Sequence, residues 1–194
     1  MRYDKGRKDV SRRKIMDVAS ERFRSDGIAA SGLATIMKDA GMTNGAFYPH
    51  FASKAELVRE CLAAAMDEQA GMLRQVIARD GLEGAIATYL SPEHRDNPDK
   101  GCTFAALLPE LGRQPPGTRE DYTNRFLGTV DEMAAALPAQ GGDPQAVAFG
   151  IYATLIGTLQ LARAVNDATL SDRILAAGAQ AARAIIDRDS DNLA

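Results

Sequence analysis

The chain predicts an all-α fold, and three observations predict it. Apolar residues make up 45% of the 194 but aromatic ones only 6%. With alanine prominent, that mixture suits packed helices better than a sheet of aromatic and β-branched strands. Apolar positions recur at helical spacing, as in Leu33, Ile36, Met37 and Ala40 at i, i+3, i+4 and i+7. Glycine- and proline-rich breakers then divide the sequence into about nine helical stretches.

Met1 to Lys8 is charged and reads as a frayed start. Asp9 to Ser25 forms the first helix, its apolar face carried by Ile15, Val18, Ala19 and Phe23, and Asp26-Gly27 ends it. Ser31 stands at the N-cap of the next helix, which Gly41 closes, because a left-handed C′ position is cheap only without a Cβ. Thr43 or Asn44 caps a third, short helix. Ser53, with Glu56 three residues on, makes a capping box that opens a long helix reaching about Arg79. Asp80-Gly81 interrupts it before an apolar stretch from Leu82 to Leu90, and Ser91 to Gly101 reads as a loop. Helices follow over Cys102 to Leu111, Thr118 to Leu137, Pro144 to Val165 and Leu170 to Arg188. The Pro144 helix is apolar on nearly all sides and needs cover on several of them. The last helix is rich in small residues, and two such helices can pair closely with a second copy across a twofold axis.

Two short helices joined by a glycine-containing turn of three or four residues form a helix-turn-helix, whose second helix enters the major groove of DNA. Asn44 can pair with adenine N6 and N7, the Ala46 methyl can touch a thymine methyl, and Gly45 lets the backbone approach. The Tyr48 hydroxyl and Lys54 can hold phosphates. Phe47 and Phe51 are assigned to the core. Pro49, unusual within a short helix, is a further candidate groove contact. Arg2, Lys5, Arg7 and Lys8 form either an arm toward the DNA or a solvating tail.

The run from Gly27 to Leu57, with Ser31, Ile36, Ala40-Gly41, Gly45, Phe47-Tyr48, His50-Phe51, Ser53-Lys54 and Leu57 in register, resembles the DNA-binding domain of the tetracycline-repressor (TetR) family. Gly32 stands where that family often has Thr, Ser or Val, and Met37 where alanine is common. The resemblance implies a three-helix DNA-binding domain over 1–52 and a larger helical effector-binding and dimerisation domain over 53–194. It places Thr43, Asn44, Gly45 and Ala46 against bases, Tyr48, His50 and Lys54 against phosphates, and Ser31 among the DNA-binding residues. It also implies a homodimer formed by the last two helices, a double-stranded operator as partner, and a small-molecule effector.

Charge follows the same division. From Met1 to Arg59 there are 12 Lys and Arg against 7 Asp and Glu, a balance of +5, while from Glu60 onward 11 face 19, a balance of −8. A basic end that carries the motif suits phosphate, and an acidic remainder avoids it. Without a run of about eighteen apolar residues, no membrane span is expected. Two distant cysteines, Cys61 and Cys102, point to a reducing cytoplasm rather than a disulfide framework. No metalloprotease, zinc-ribbon, nucleophile-elbow or phosphate-loop motif occurs, so neither an enzyme nor a cofactor is expected. Glu93, His94 and Asp96 lack the spacing of a metal site.

Residues expected to line an effector cavity are Phe104, Leu108, Tyr122, Phe126, Phe149, Tyr152 and Gln160, which suit a small apolar molecule. Cys102 carries a sharper alternative. At a helix start beside Lys100, its thiol is placed to ionise and sense electrophiles or oxidants. The other alternative is an architectural DNA-binding protein without an effector.

Overall fold

The computed structural model describes residues 2–138 and 142–191, with side chains from 6 to 187. Eight α-helices and one 3₁₀ turn account for the regular structure among the described residues: α1 (Arg2–Asp26), α2 (Leu33–Asp39), the turn Asn44–Ala46, α3 (Lys54–Tyr89), α4 (Pro92–Asp96), α5 (Thr103–Leu111), α6 (Pro116–Ala135), α7 (Pro144–Ala164) and α8 (Ala168–Asp191).

Four boundaries differ from expectation. First, α1 begins at Arg2, so the frayed start is helical. The side chains of Arg2 and Lys5, two members of the expected arm, lie outside the described residues; Arg7 and Lys8 are exposed on the helix. Second, α2 is capped by Gly32, not Ser31. At its other end Gly41 (φ 70°) closes a left-handed cap, with Gly41 N–H on the Lys38 carbonyl and Met42 N–H on that of Met37. Third, α6 begins at Pro116, two residues before the expected Thr118, whereas the expected interruption at Gly81 is present, its φ of 69° and ψ of −171° lying outside the helical region within α3. Fourth, part of the expected loop is α4: Ser91 Oγ accepts the His94 N–H at 3.1 Å, and Pro92 occupies the first turn. The Ser53 cap holds as expected, accepting the Glu56 N–H.

Two apolar cores form. The N-terminal one gathers Ile15, Phe23, Ile36, Met37, Phe47 and Phe51 with Leu57, Val58, Cys61 and Leu62 of α3. Leu107 and Leu111 of α5 complete it, so the core crosses the 52/53 division. The second core packs α3, α5, α6, α7 and α8 around Phe104, Met133, Ile151, Leu155 and Leu159. By length and composition α7 could cross a membrane. Its apolar residues Ala148, Ile151, Leu155 and Leu159 are instead buried in this core. Thus α5 belongs to both cores, with Phe104 in one and Leu107 in the other.

Candidate nucleic-acid interface

The expected recognition helix is one 3₁₀ turn followed by further turns. Pro49 is the physical reason, since it has no N–H for the Gly45 carbonyl and its ring would clash there in an α-helix. Hydrogen bonds run from Ala46 N to Thr43 O and from Phe47 N to Asn44 O, then from His50 N and Phe51 N to Phe47 O. Thr43 sits at the N-cap in extended conformation without using its side chain as a cap.

What fixes this turn is aromatic. Phe47 and Phe51 are 0% and 1% exposed and stack at 5.4 Å between centroids. Burying each contributes roughly 1.5–3 kcal/mol. Tyr48 meets Phe47 edge-on yet leaves its ring 65% exposed. Thr43, Asn44, Gly45 and Pro49 are likewise exposed, while Ala46 is half-buried against the core. A rigid apolar underside therefore carries a polar outer edge, as insertion into a groove requires.

The neighbouring charge is positive. Arg12 of α1, paired with Glu60, lies over the Phe51 ring with its guanidinium carbon 4.8 Å from the centroid. Burial, then the nearby Lys8 and Arg12 cations, hold the His50 imidazole below its ordinary range. His50 Nδ1 is buried without a hydrogen-bond partner among the described residues. Arg12 carried no local sequence signal; only the fold brings it beside His50 and Phe51.

One expected contact, Ser31, is corrected, and Lys54 has a partner within the chain. Ser31 is 2% exposed, and its hydroxyl lies 2.7 Å from the Gly27 carbonyl and 3.1 Å from that of Arg22, so it braces the α1–α2 loop. Lys54 donates through Nζ to the Ile28 carbonyl at 2.6 Å, which ties the start of α3 to that same loop.

The expected effector residues do converge. Phe104 meets Tyr122 and Tyr152 at 5.6 and 5.5 Å, Phe126 meets Tyr152 and Phe149 at 5.4 and 5.8 Å, and Tyr122 lies parallel to Phe126 at 5.8 Å. Leu108 packs beside them, and Gln160 donates to the Ala105 carbonyl at 2.7 Å. The cluster is closed in this conformation. Two small hollows, one among Phe23, Cys61, Leu62 and Leu107 and one among Leu62, Met66 and Tyr122, each have about 10 Å³, room for about one water.

Cys102 caps α5 as expected, but the ionised-thiol premise is corrected. The residue is buried, burial pushes its thiol up, and the cation whose field reaches it is Arg163, not Lys100. Burial likewise pushes the Cys61 thiol up to about 12. His94 faces away from any ligand role. Its Nδ1 lies 2.7 Å from the Tyr89 carbonyl, and its Nε2 accepts the Cys102 N–H at 2.9 Å.

Comparison with known proteins bears on this geometry. Residues 15–61 match the family model described as bacterial regulatory proteins, tetR family. The HTH-type transcriptional repressor KstR2 of Rhodococcus jostii is 31% identical over 90 residues, 44% of this chain and 44% of that protein. The chain is thus matched over less than half of this relative's length. Among solved structures, reduced E. coli NemR has a TM-score of 0.75 at 18% identity and covers 91% of this chain and 96% of its own. Bacillus subtilis FadR in complex with stearoyl-CoA has a TM-score of 0.65 at 16% identity, over 89% and 96%. The structural likenesses show the fold, and the segment match contains the anchored turn. Residues 15–61 are thus similar to the DNA-binding segment of the tetR family of bacterial regulatory proteins, and the rest of the chain shares the fold of the solved structures.

Proposed function

We propose that the protein is a homodimeric, cytoplasmic repressor that grips a palindromic operator with two helix-turn-helix heads and releases it when a small apolar effector enters the five-ring cluster. The observation that carries the DNA-binding part is the turn itself: Asn44 and Tyr48 stand exposed on a buried Phe47–Phe51 platform beside Lys8 and Arg12. Asn44, with Thr43, Gly45, Ala46 and Pro49, faces bases; Tyr48 and His50 hold the backbone. The heads fall within 1–52, and 53–194 carries the effector cluster and the dimer face.

The relative KstR2 is named a repressor, and FadR was solved with stearoyl-CoA, a ligand whose acyl chain is apolar although its coenzyme A part is not. The effector must bind the DNA-incompetent arrangement better than the competent one, because equal affinity shifts nothing. In the closed cluster that means entry coupled to separation of the rings. The buried Cys102 thiol weighs against direct sensing of electrophiles.

Gel retardation on the DNA upstream of the protein's own gene tests the reading. Wild type shifts the fragment; Tyr48→Ala weakens binding on all sequences alike, and Asn44→Ala loses about 1–3 kcal/mol and relaxes preference at one base pair. An unshifted fragment, or variants that bind like wild type, rejects it.

A further inference from the structure

The loop between α1 and α2 has no regular structure of its own, yet its peptide groups are held from outside. Glu110, near the C-terminal end of α5, accepts the Ile28 N–H through Oε1 at 3.0 Å and the Ala29 N–H through Oε2 at 2.9 Å. These are charge-assisted bonds to two consecutive amides, a geometry that fixes direction as well as distance. Gly27 makes the approach possible. Its φ is +87°, and a Cβ there would lie 2.7 Å from Glu110 Oε1. On the other side of the same residue, the Ile28 carbonyl accepts Lys54 Nζ. Leu107 and Leu111, flanking Glu110 on α5, are buried in the N-terminal core at 2% and 3% exposure.

The opposite end of α5 lies elsewhere. Phe104 is inside the ring cluster, Gln160 of α7 bonds the Ala105 carbonyl, and the Cys102 N–H is held by His94. A nine-residue helix, about 13 Å long by its rise, thus runs from the ring cluster to the loop that precedes α2.

We infer that Glu110 is a positioning residue for DNA binding: its carboxylate clamp on the Ile28 and Ala29 amides sets the angle between helix-turn-helix and body, and so the spacing of the two heads. This rests on the operator-binding reading above. Any displacement of α5 by an occupant of the ring cluster is delivered to the head through this clamp. A residue that merely stabilises the head would affect all DNA alike. A positioning residue affects only DNA on which both heads must dock at once.

The test uses the full-length protein and a palindrome that it selects from a random double-stranded pool. Affinities are measured for the selected palindrome, for the same palindrome lengthened or shortened by one base pair at its centre, and for a duplex with one half-site. For Glu110→Ala, half-site affinity stays within about twofold of wild type, while the preference for native spacing falls about tenfold. Glu110→Gln, which keeps one carbonyl acceptor but turns an amide donor toward the second N–H, falls between. Retention of the full spacing preference in Glu110→Ala overturns the clamp's role, as does an equal loss on half-site and palindrome. Should Glu110→Ala fail to fold, Glu110→Gln decides by the same ratio. A wild-type protein that selects no DNA overturns the operator reading itself, and the clamp's role with it.

Discussion

His94 makes two hydrogen bonds that only its neutral form can make together. Nε2 accepts from the Cys102 amide, which leaves Nδ1 to donate to the Tyr89 carbonyl, and the ring packs edge-on against Tyr89 at 4.8 Å. Burial depresses its pKa most; the Tyr89 carbonyl opposes this, and the Arg163 cation adds to the lowering. The groups facing it are Tyr89 of α3, Cys102 at the start of α5 and Arg163 of α7, whose guanidinium donates to the His94 carbonyl. A histidine depressed in the folded state binds its proton more readily when unfolded. Its stability contribution is therefore complete above the unfolded pKa of about 6.5 and is lost as pH falls from there toward the folded value. His50 is depressed too, by burial first and then by Lys8 and Arg12, and contributes with the same sign. Urea unfolding at pH 7.5 and 5.5 checks this. Wild type loses stability on acidification, and His94→Gln, whose amide can take the same two partners, loses measurably less while staying within about 1 kcal/mol of wild type at pH 7.5. Equal losses in both would show that the acid loss comes from groups other than His94.

Where α8 crosses α7, Gly178 packs directly on Thr158. A Cβ built on Gly178 would lie 2.2 Å from both Thr158 Cγ2 and Oγ1 and 2.6 Å from Thr158 Cβ. Because the obstacle includes a Cβ, a rotamer change alone does not clear it. Gly178→Ala should destabilise by about 1–3 kcal/mol through overpacking, and Thr158→Ala on that background should restore part of it. Urea midpoints read both, and a Gly178→Ala as stable as wild type would mean the helices part freely. Neither residue is marked in the sequence, where α7 and α8 show only a periodicity and a wealth of small side chains. This is the general limit of such a reading here. Helices that depend on local periodicity and caps, such as those from Leu33, Ser53 and Pro144, were legible, as was the exposed turn with Asn44 and Tyr48. Where two local signals competed, the weaker-looking one won: Pro49 turned the recognition helix into a 3₁₀ turn, and Ser91-Pro92 started α4 inside a run of breakers. Contacts between distant segments left no trace. Ser31 and Lys54 look like DNA ligands in the sequence, where their bonds to the α1–α2 loop do not show, and Glu110 lies 82 residues from the amide it holds.

At the scale of the whole molecule, the apolar character of α7 exceeds what one chain uses. Its inner residues Ile151, Leu155 and Leu159 are buried, yet Phe149 and Leu161 on its outer side are 38% and 63% exposed, and Leu170 at the start of α8 is 40% exposed. Ala146, Ala153 and Ala164 extend this outer stripe along α7, and Ala177 and Ala181 continue it on α8. A second copy that presented the same stripe across a twofold axis would remove all of it from water in a four-helix arrangement. Such an interface also answers the affinity problem of the heads, since tethering two weak half-site contacts raises the apparent affinity by about 10²–10⁴ with no new DNA contact. A charge on this stripe should separate the copies without touching the core, because Leu161 is exposed. In sedimentation equilibrium wild type should therefore weigh twice its 20.7 kDa chain and Leu161→Glu one chain. The same variant should lose about 100-fold or more on a palindrome while keeping its half-site affinity. A wild type that sediments as one chain removes the twofold interface, and a Leu161→Glu dimer moves it to another face. Palindrome binding that survives dissociation would mean that each head suffices alone.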